Sequence, residues 1–223
     1  MPVVSPDLES QISTGAIAIQ RLGACDYLQA LAIQRKIHLD VTQGLAKNTL
    51  LIVEHPSVYT AGRRTLASEK PTDGTPVIDV DRGGKITWHG IGQLVGYPIV
   101  QLANPRELVG FVREIEAALI EVCDHFGIAS KRIVGRSGVW VEDSRGARKI
   151  AAIGIRVASG VSMHGFAINV NPDLAAFSKI VPCGINDAEV TSMAKELGRE
   201  ISISEVQPVV EEILCQHLAK VSA

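Results

Sequence analysis

Two apolar runs in the second half of the chain predict a β-hairpin. They span Ile150–Val157 and Met163–Val170, and a short turn at 158–160 joins them. Alternate residues of a strand point to opposite faces, so the first run has two faces. The smaller face comprises Ile150, Ala152 and Gly154. Because a strand face without bulky side chains lets a ligand or another backbone come close, we expect the hairpin to border a binding site.

The other apolar patterns predict a mixture of strands and helices without a linker between them. Short strands are predicted at residues 16–22, 49–54, 77–80 and 138–142. Helices are predicted over Asp26–Val41, from Asn104 to a stop at Gly127, over Asp187–Leu197, and from Ser204 towards the C-terminus. The apolar residues of the first helix include Leu28, Leu31, Ala32 and Leu39. No segment rich in Ser, Gly or Pro divides the chain, which favours one domain.

Composition and charge narrow the functional classes. The chain has 223 residues, of which 46% are hydrophobic and 21% charged, as in a globular protein. A net charge of −2 argues against general nucleic-acid binding. The N-terminal residues have no signal-peptide pattern and no apolar run approaches membrane-spanning length, so we expect no membrane association. The four cysteines are widely spaced, which indicates reduced thiols in a cytoplasmic protein.

A cysteine in a tight turn is the first candidate for chemistry. Cys183 lies between Pro182 and Gly184, which hold the thiol on a defined bend. A thiol becomes a nucleophile when a neighbouring base or cation favours the thiolate, and Lys149 and His164 lie in the same stretch. The alternative, from these residues alone, is that Cys183 is a small buried hydrophobic side chain and not a nucleophile.

The glycine-rich segment Arg82–Pro98, with sequence RGGKITWHGIGQLVGYP, is the second candidate. Glycine lets backbone N–H groups approach a ligand, and Arg, Lys, Thr and His accompany the glycines here. The segment matches neither a P-loop nor a dinucleotide-binding motif, and a pair of strands with bulges is the alternative. Residues 55–64, HPSVYTAGRR, are interpreted either as the rim of a site or as a solvated loop.

Taken together, these motifs resemble the lipoyl(octanoyl) transferase family. The matching segments are HPSVYTAGRR, RGGKITWHGIGQLVGYP and RKIAAIG, followed by MHGFAINV, DLAAF and IVPCGI. The resemblance covers roughly residues 16 to 200. It implies an α+β fold, a single domain like the catalytic core of biotin and lipoate protein ligases, with a mixed β-sheet flanked by helices. We expect residues 1–15 to form a loose N-terminal tail and residues 16–223 to form this catalytic domain.

The resemblance also implies roles for individual residues. Cys183 corresponds to the family nucleophile, and Lys149 to the lysine that activates it. The implied substrate-binding residues are Arg82, Gly83, Gly84, Lys85, Ile86, Thr87, Trp88, His89, Ala152, Ile153, Gly154, Gly165, Phe166 and Ala167. His164 and Tyr97 are expected to support the site. Ile91 stands where the family usually has proline, so we expect a slightly softer loop there.

The implied reaction moves an octanoyl or lipoyl group in lipoate biosynthesis. The donor would be octanoyl-acyl carrier protein. The acceptors would be lysines of the lipoyl domains of 2-oxoacid dehydrogenase complexes and of the glycine cleavage H protein. Since the donor is a thioester and exchange with a thiolate is nearly energy-neutral, neither ATP nor a cofactor is expected.

The residues alone leave four alternatives to the implied transferase open. An ATP-dependent lipoate or biotin ligase would use the same fold without a covalent thiol. A non-catalytic lipoate-binding protein would not need both Cys183 and Lys149. A cysteine hydrolase could use His164 or His89 as its base. A zinc site built from Cys183, His89 and His164 lacks any short ligand spacing, so no metal is expected.

Overall fold

The computed structural model describes residues 12–14, 17–180 and 189–223, and these contain twelve strands and four α-helices. The strands are β1 Ile12–Thr14, β2 Ile17–Ala24, β3 Thr49–Glu54, β4 Val58–Ala61, β5 Val77–Asp79, β6 Thr87–His89, β7 Gln93–Ile99, β8 Lys131–Ile133, β9 Arg136–Asp143, β10 Gly146–Ala158, β11 Val161–Asn169 and β12 Glu189–Val190. The helices are α1 Tyr27–Thr42, α2 Leu108–His125, α3 Met193–Leu197 and α4 Ile203–Val221, with 3₁₀ turns at Ala67–Glu69 and Leu174–Lys179.

A large mixed sheet forms the centre of the fold. Its strand order among the described residues is β1-β2-β3-β7-β11-β10-β9-β8, and β12 pairs with β10 in addition. β2 and β3 are parallel, as are β10 and β12, while the other neighbours are antiparallel. The hairpin predicted from the two apolar runs is confirmed as β10 and β11. Ser159 and Gly160 close it with φ values of 51° and 77°, as a tight hairpin turn requires.

Helices cover both faces of this sheet, which explains its continuous apolar strands. In β3, Leu50 and Ile52 face the main core that α2 and α4 share, while Leu51 and Val53 face the cluster that includes residues of α1. A strand buried on both faces needs apolar side chains at every position, so the run TLLIVE shows no alternation. The expected fold of a mixed sheet flanked by helices is therefore confirmed.

A small sheet lies on the same side as α1. Its order is β5-β4-β6, with β4 and β5 parallel. Tyr27 and Leu31 of α1 pack with Met163 of the hairpin and with partly buried residues of the small sheet. The small sheet therefore stands over β10 and β11 and forms the second wall of a cavity.

Several helix boundaries differ from the predictions. α2 begins at Leu108 rather than near Asn104, because the Asn104 side chain accepts a hydrogen bond from the Arg106 backbone N–H at 3.2 Å and closes a turn. The predicted stop at Gly127 is confirmed by its left-handed φ of 78°. The N-cap of α4 is Ser202, two residues before the predicted Ser204, because the Ser202 hydroxyl accepts a hydrogen bond from the Glu205 N–H at 3.2 Å, and the helix begins at Ile203.

The helix predicted over Asp187–Leu197 is confirmed for Met193–Leu197 and wrong for Glu189 and Val190. Glu189 and Val190 form β12, which pairs in parallel with Arg148 and Lys149, and only Met193–Leu197 is helical. The buried face of α1 differs from the predicted apolar face, since Leu28 and Leu39 are 56% and 53% exposed. The buried residues of that helix are Tyr27, Ala30, Leu31, Gln34 and Val41.

Two short strands have no counterpart in the predictions. β1 lies within the expected tail and pairs antiparallel with β2, and β8 precedes β9. Edge strands of three residues depend on backbone pairing, so their side chains carry too short a pattern to be read from sequence. Among the described residues, no helix has the length and apolar character needed to cross a membrane.

Contact between β11 and β7 requires a glycine at position 165. A Cβ atom there would lie 2.0 Å from the Gly96 carbonyl oxygen and 2.7 Å from Pro98 Cδ. Gly165→Ala should therefore lower the free energy of unfolding by about 3 kcal/mol or more, because backbone must move. Gly44→Ala is the control, since its φ is +71° and nothing lies within 4 Å, so we expect a loss of only about 1 kcal/mol. Urea unfolding measures both, and equal losses would contradict the packing argument.

Candidate active site

A cavity of about 380 Å³ lies between the hairpin β10–β11 and the small sheet with its glycine-rich connection. This volume is within the usual range for sites that bind small molecules. The residues named from the sequence that line it are Arg82, Gly83, Gly84, Lys85, Thr87, His89, Tyr97, Lys149, Ala152, Ile153, Gly154, His164, Gly165, Phe166 and Ala167. Their roles in binding or catalysis remain predictions. Cys183 lies outside the described residues.

Lys149 reaches the cavity because β10 contains a bulge. Lys149 pairs with Trp140 of β9 and Ala151 pairs with Val139, so Ile150 is an extra residue in the register. Ile150 and Ala151 are both buried in the main core, while Ala152 and Gly154 line the cavity. The expectation that Ile150 shares a face with Ala152 is therefore wrong, because the bulge shifts the alternation.

The surroundings of Lys149 are buried and aromatic. Its side chain is nearly covered, with 7% of the residue exposed, and Nζ lies 4.6 Å from the centre of the Trp140 ring. An ammonium at that distance over an indole face gains a cation–π interaction. On the other edge of β10, the Thr191 N–H donates to the Lys149 carbonyl at 2.9 Å. The lysine backbone is thus held from both neighbouring strands.

Arg82 holds the glycine-rich connection in place. Its guanidinium donates to the carbonyl oxygens of Thr60, Gly83 and Lys85 at 2.8–3.0 Å, and also to the Thr60 hydroxyl. Its side chain crosses the hairpin at Gly154, where a Cβ atom would lie 3.0 Å from Arg82 Cδ. Glycine at 154 therefore permits the close approach that the small strand face predicted.

The residues in and just before β6 alternate between the cavity and the small-sheet cluster. Thr87 and His89 line the cavity, whereas Ile86 and Trp88 are buried in the small-sheet cluster. The Trp88 ring contacts Phe177 edge-to-face at 5.3 Å, and its Nε1–H donates to the Ser57 hydroxyl at 2.9 Å. Ile86 and Trp88 thus pack away from the cavity lining, since alternate side chains of a strand point to opposite sides, and the substrate-binding role expected for them stays a prediction.

A hydrogen-bonded relay fixes the tautomer of His89. The Asn169 amide donates to the Thr191 carbonyl at 2.9 Å, and its oxygen accepts from the Gln93 amide at 2.8 Å. The Gln93 oxygen therefore accepts the Nδ1–H of His89 at 2.6 Å, which leaves Nε2 as an acceptor. Burial lowers the pKa of His89 to about 3, and the nearby His55 acts in the same direction. His89 is thus a neutral imidazole on the cavity wall.

Further aromatic and polar side chains complete the inner wall. His55 Nδ1–H donates to the Cys25 carbonyl at 2.7 Å, so Nε2 accepts the Tyr97 hydroxyl at 2.7 Å. The Tyr27 ring stacks on His89 with 6.2 Å between centres. Burial raises the pKa of Tyr27 to about 12 and lowers that of His55, so the wall carries no charge near neutral pH from these groups.

His164 is held in an unusual backbone conformation on β11. Its φ is 58°, in the left-handed region that residues other than glycine seldom occupy. Its Nε2–H donates to Asp81 at 2.7 Å, and its backbone N–H donates to Gln34 at 3.2 Å. Burial lowers the pKa of His164 more than the hydrogen bond to Asp81 raises it. The ring is therefore a neutral, oriented group at the cavity.

The structure adds cavity residues that the sequence patterns did not single out. They are Tyr27, Val95, Leu108, Val112, Gly135, Arg136, Ser137 and Ile155. Gly135 lies in the turn between β8 and β9, and Arg136 and Ser137 begin β9; a glycine beside polar residues was the available signal. Residues 55–64 were interpreted either as the rim of a site or as a solvated loop. Within this segment Arg64 lines the cavity, whereas Arg63 does not. Ile91 is 58% exposed in the connection between β6 and β7.

Relatives identify the kind of domain that carries this site. A family profile described as the lipoyl protein ligase A/B catalytic domain matches residues 26–215. Solved structures with the same fold include a lipoate-protein ligase A bound with ATP, at 17% identity and a TM-score of 0.72, covering 90% of this chain and 85% of that one. A bi-partite lipoate protein ligase from Thermoplasma acidophilum has 15% identity and a TM-score of 0.70, covering 92% and 84%. The chain therefore belongs to the lipoyl protein ligase A/B catalytic domain family.

Sequence relatives place it more finely. An octanoyltransferase of Salinispora tropica is 56% identical over 204 residues, which cover 91% of this chain and 96% of that protein. An octanoyltransferase of Mycobacterium tuberculosis is 54% identical over 203 residues, covering 91% and 87%. This similarity makes the chain an acyltransferase and confirms the family resemblance. No group of three or more His, Cys, Asp or Glu that could hold a metal occurs in the described part of the chain.

The neutral state of His89 predicts a pH dependence of stability. Below about pH 6.5 the unfolded chain binds a proton at this histidine, whereas folded His89 binds one only near pH 3. Stability should therefore fall as the pH drops from about 6.5 towards 3, by up to about 1.4 kcal/mol per pH unit for this group. His89→Gln should flatten the slope of the unfolding free energy, measured by urea titration at several pH values. His125→Gln, on the exposed side of α2, is the control, and an unchanged slope in His89→Gln would refute the assignment.

Proposed function

We propose that this chain transfers an octanoyl group from acyl carrier protein to a lysine of a lipoyl domain, through a thioester on Cys183, in the cytoplasm. Octanoyl transfer and a part in lipoate biosynthesis are supported by the octanoyltransferase relatives. The observation that carries the mechanism is the position of Lys149, which is buried at the cavity wall beside β12. The specific donor and acceptor proteins are the ones implied by the family.

The chain connectivity is compatible with a Cys183–Lys149 pair. Val190 lies directly opposite Lys149 in the sheet and packs against the same apolar cluster that contains Ile180. Cys183 is three residues from Ile180 and six from Glu189 along the chain. This short separation in sequence supports the proposed pairing of Cys183 with Lys149.

The first half-reaction forms the acyl-enzyme. Lys149 acts as the general base that takes the thiol proton of Cys183, and the thiolate attacks the donor carbonyl. The new bond joins Sγ to the carbonyl carbon, and the donor's carbon–sulfur bond breaks. The departing thiolate receives the proton from Lys149. Because one thioester replaces another, this step needs no ATP.

The second half-reaction forms the amide. The acceptor amine attacks the acyl-enzyme carbonyl, and the carbon–nitrogen bond forms as the carbon–Sγ bond breaks. Lys149 takes the proton that the amine loses and returns it to the Cys183 thiolate. The enzyme is then restored.

The hairpin face supplies an apolar place for the acyl chain. Ala152 and Ala167 have small side chains, and Val95 and Phe166 add apolar surface. Each methylene group that leaves water there contributes about 0.8 kcal/mol. An uncharged eight-carbon chain suits this wall, because the histidines beside it are neutral.

The nucleophile can be tested by serine substitution. Cys183→Ser should lose octanoyl transfer by about a thousandfold or more, because a hydroxyl is far less ionised than a thiol. Cys25→Ser is the matched control, since Cys25 is half-buried before α1 and burial raises its pKa. The assay is octanoyl transfer to a purified lipoyl domain. Full activity in Cys183→Ser would overturn the assignment.

Lys149→Arg separates proton transfer from charge. Arginine keeps the cation over Trp140 but cannot accept a proton. We expect Cys183 to stay reactive towards iodoacetamide, while transfer to the lipoyl domain is nearly lost and the acyl-enzyme accumulates. Gel-shift and single-turnover assays follow these steps. Normal turnover by Lys149→Arg would show that charge alone suffices and would contradict the general-base role.

A further inference from the structure

A buried ion pair adjoins Lys149 in sequence but takes no part in the proposed chemistry. The Arg148 guanidinium donates to both carboxylate oxygens of Glu196, from Nε at 2.9 Å and from Nη2 at 3.0 Å. The two side chains are almost completely covered, with 3% and 6% exposed. The exposed Asp143 accepts two further hydrogen bonds from the same guanidinium, at 2.9 and 3.1 Å. The role of this buried pair is therefore still to be explained.

The stability of the fold is a weak explanation for such a pair. The desolvation of two buried charges offsets much of their attraction, so apolar side chains of similar size often stabilise a fold as well. A bidentate ion pair does, however, require one geometry, because each nitrogen must meet its own oxygen. The hydrogen bond from Arg148 lowers the pKa of Glu196, so this carboxyl group is an ionised acceptor. A pair with these properties is suited to holding two elements in a fixed position.

Thr191 connects the ion pair to the lysine strand. Its hydroxyl donates to Glu196 at 2.6 Å, and its backbone N–H donates to the Lys149 carbonyl at 2.9 Å. Its own carbonyl accepts the Asn169 amide at 2.9 Å, at the start of the relay that ends at His89. Thr191 is fully buried, and its hydroxyl, N–H and carbonyl groups each have a partner. The position of Thr191 is therefore transmitted both to Lys149 and to the inner wall.

The backbone pairing at this edge of β10 is short. β12 has only two residues, and they pair with Arg148 and Lys149. On the opposite edge the ladder with β9 is interrupted at Ile150, directly after the lysine. A pairing of two residues is marginal by itself, so its position depends on other contacts. Glu196 supplies them, because its carboxylate bonds to β10 through Arg148 and to the end of β12 through Thr191.

We propose that Arg148, Glu196 and Thr191 form a positioning unit for the general base. Glu196 joins the end of β12 to β10, and the Thr191 N–H then fixes the backbone of Lys149. This inference rests on the proposed function, because it takes Lys149 as the proton acceptor. In the described part of the cavity none of the three residues lines the wall, so each acts through Lys149. The unit should therefore affect the catalytic rate and not the binding of the donor.

Thr191→Val tests the unit most sharply, because it removes the hydroxyl and keeps both backbone hydrogen bonds possible. With octanoyl-acyl carrier protein as donor and a purified lipoyl domain as acceptor, we expect kcat to fall about tenfold, since a hydrogen bond to a charged group is lost. The KM for the donor should stay within about twofold. Amide hydrogen exchange at Thr191 should become about tenfold faster. Thr191→Ser keeps the hydroxyl and should restore most of kcat, and Glu196→Gln should act like Thr191→Val.

Thr49→Val is the matched control. Thr49 is buried in β3, its hydroxyl donates to the Lys47 carbonyl at 2.9 Å, and it lies outside the cavity lining. This variant removes a hydroxyl hydrogen bond of similar burial, so its midpoint of urea unfolding should fall comparably. Its kcat, its KM and the hydrogen exchange at Thr191 should stay as in the wild type. Equal losses of kcat in Thr49→Val and Thr191→Val would refute the positioning unit, because general destabilisation would explain both.

The remaining outcomes separate positioning from a merely structural role. Faster exchange at Thr191 with an unchanged kcat would make the unit structural only and would overturn the proposal. Unchanged exchange in Thr191→Val, a rise in KM without a fall in kcat, or a failure of Thr191→Ser to restore kcat would each overturn it as well. If the wild-type enzyme takes no octanoyl group from the donor, the proposed function fails. The exchange measurement would then still show whether the Thr191 hydroxyl holds β12.

Discussion

The extra residue in β10 decides which side chain faces the cavity. Since Ile150 has no partner in β9, the strand places Ile150 and Ala151 in the main core and turns Lys149 towards the cavity. Residues on both sides of β10 then hold Lys149 in position. Trp140 of β9 provides a ring face for the ammonium, and the backbone of Thr191 bonds to the Lys149 carbonyl. A regular strand would bury a charged group in the core or expose it away from the cavity, at a considerable desolvation cost.

Glycine residues and neutral polar side chains form the rest of the site around Lys149. Glycines at 154 and 165 allow the Arg82 side chain and β7 to approach the hairpin. A relay from Thr191 through Asn169 and Gln93 connects the lysine strand to His89 on the inner wall. Every member of this relay is hydrogen-bonded, so it fixes orientations without leaving a buried charge uncompensated. The outcome is a cavity in which the histidine side chains beside Lys149 and Arg82 are neutral.

Local sequence patterns predicted an element correctly wherever one physical constraint determines its conformation. The hairpin follows from two apolar runs and a short turn, β3 from its apolar run, and the end of α2 from Gly127. Other features depend on tertiary contacts that a local pattern does not contain. The bulge at Ile150 depends on pairing with β9, and β12 depends on the edge of β10. Family resemblance named most of the cavity residues, but it also named Ile86 and Trp88, which pack in the small-sheet cluster, because a motif does not record which way each residue of a strand points.

The covalent intermediate is the central claim, and intact mass spectrometry tests it most directly. The enzyme is mixed with octanoyl-acyl carrier protein in the absence of ATP and of any lipoyl domain, quenched, and digested. The account predicts an enzyme heavier by one octanoyl group, located on the peptide that contains Cys183. Adding a lipoyl domain should then move that group to the domain lysine. An unmodified enzyme that nonetheless octanoylates the lipoyl domain, or octanoylation that requires ATP, would contradict the account.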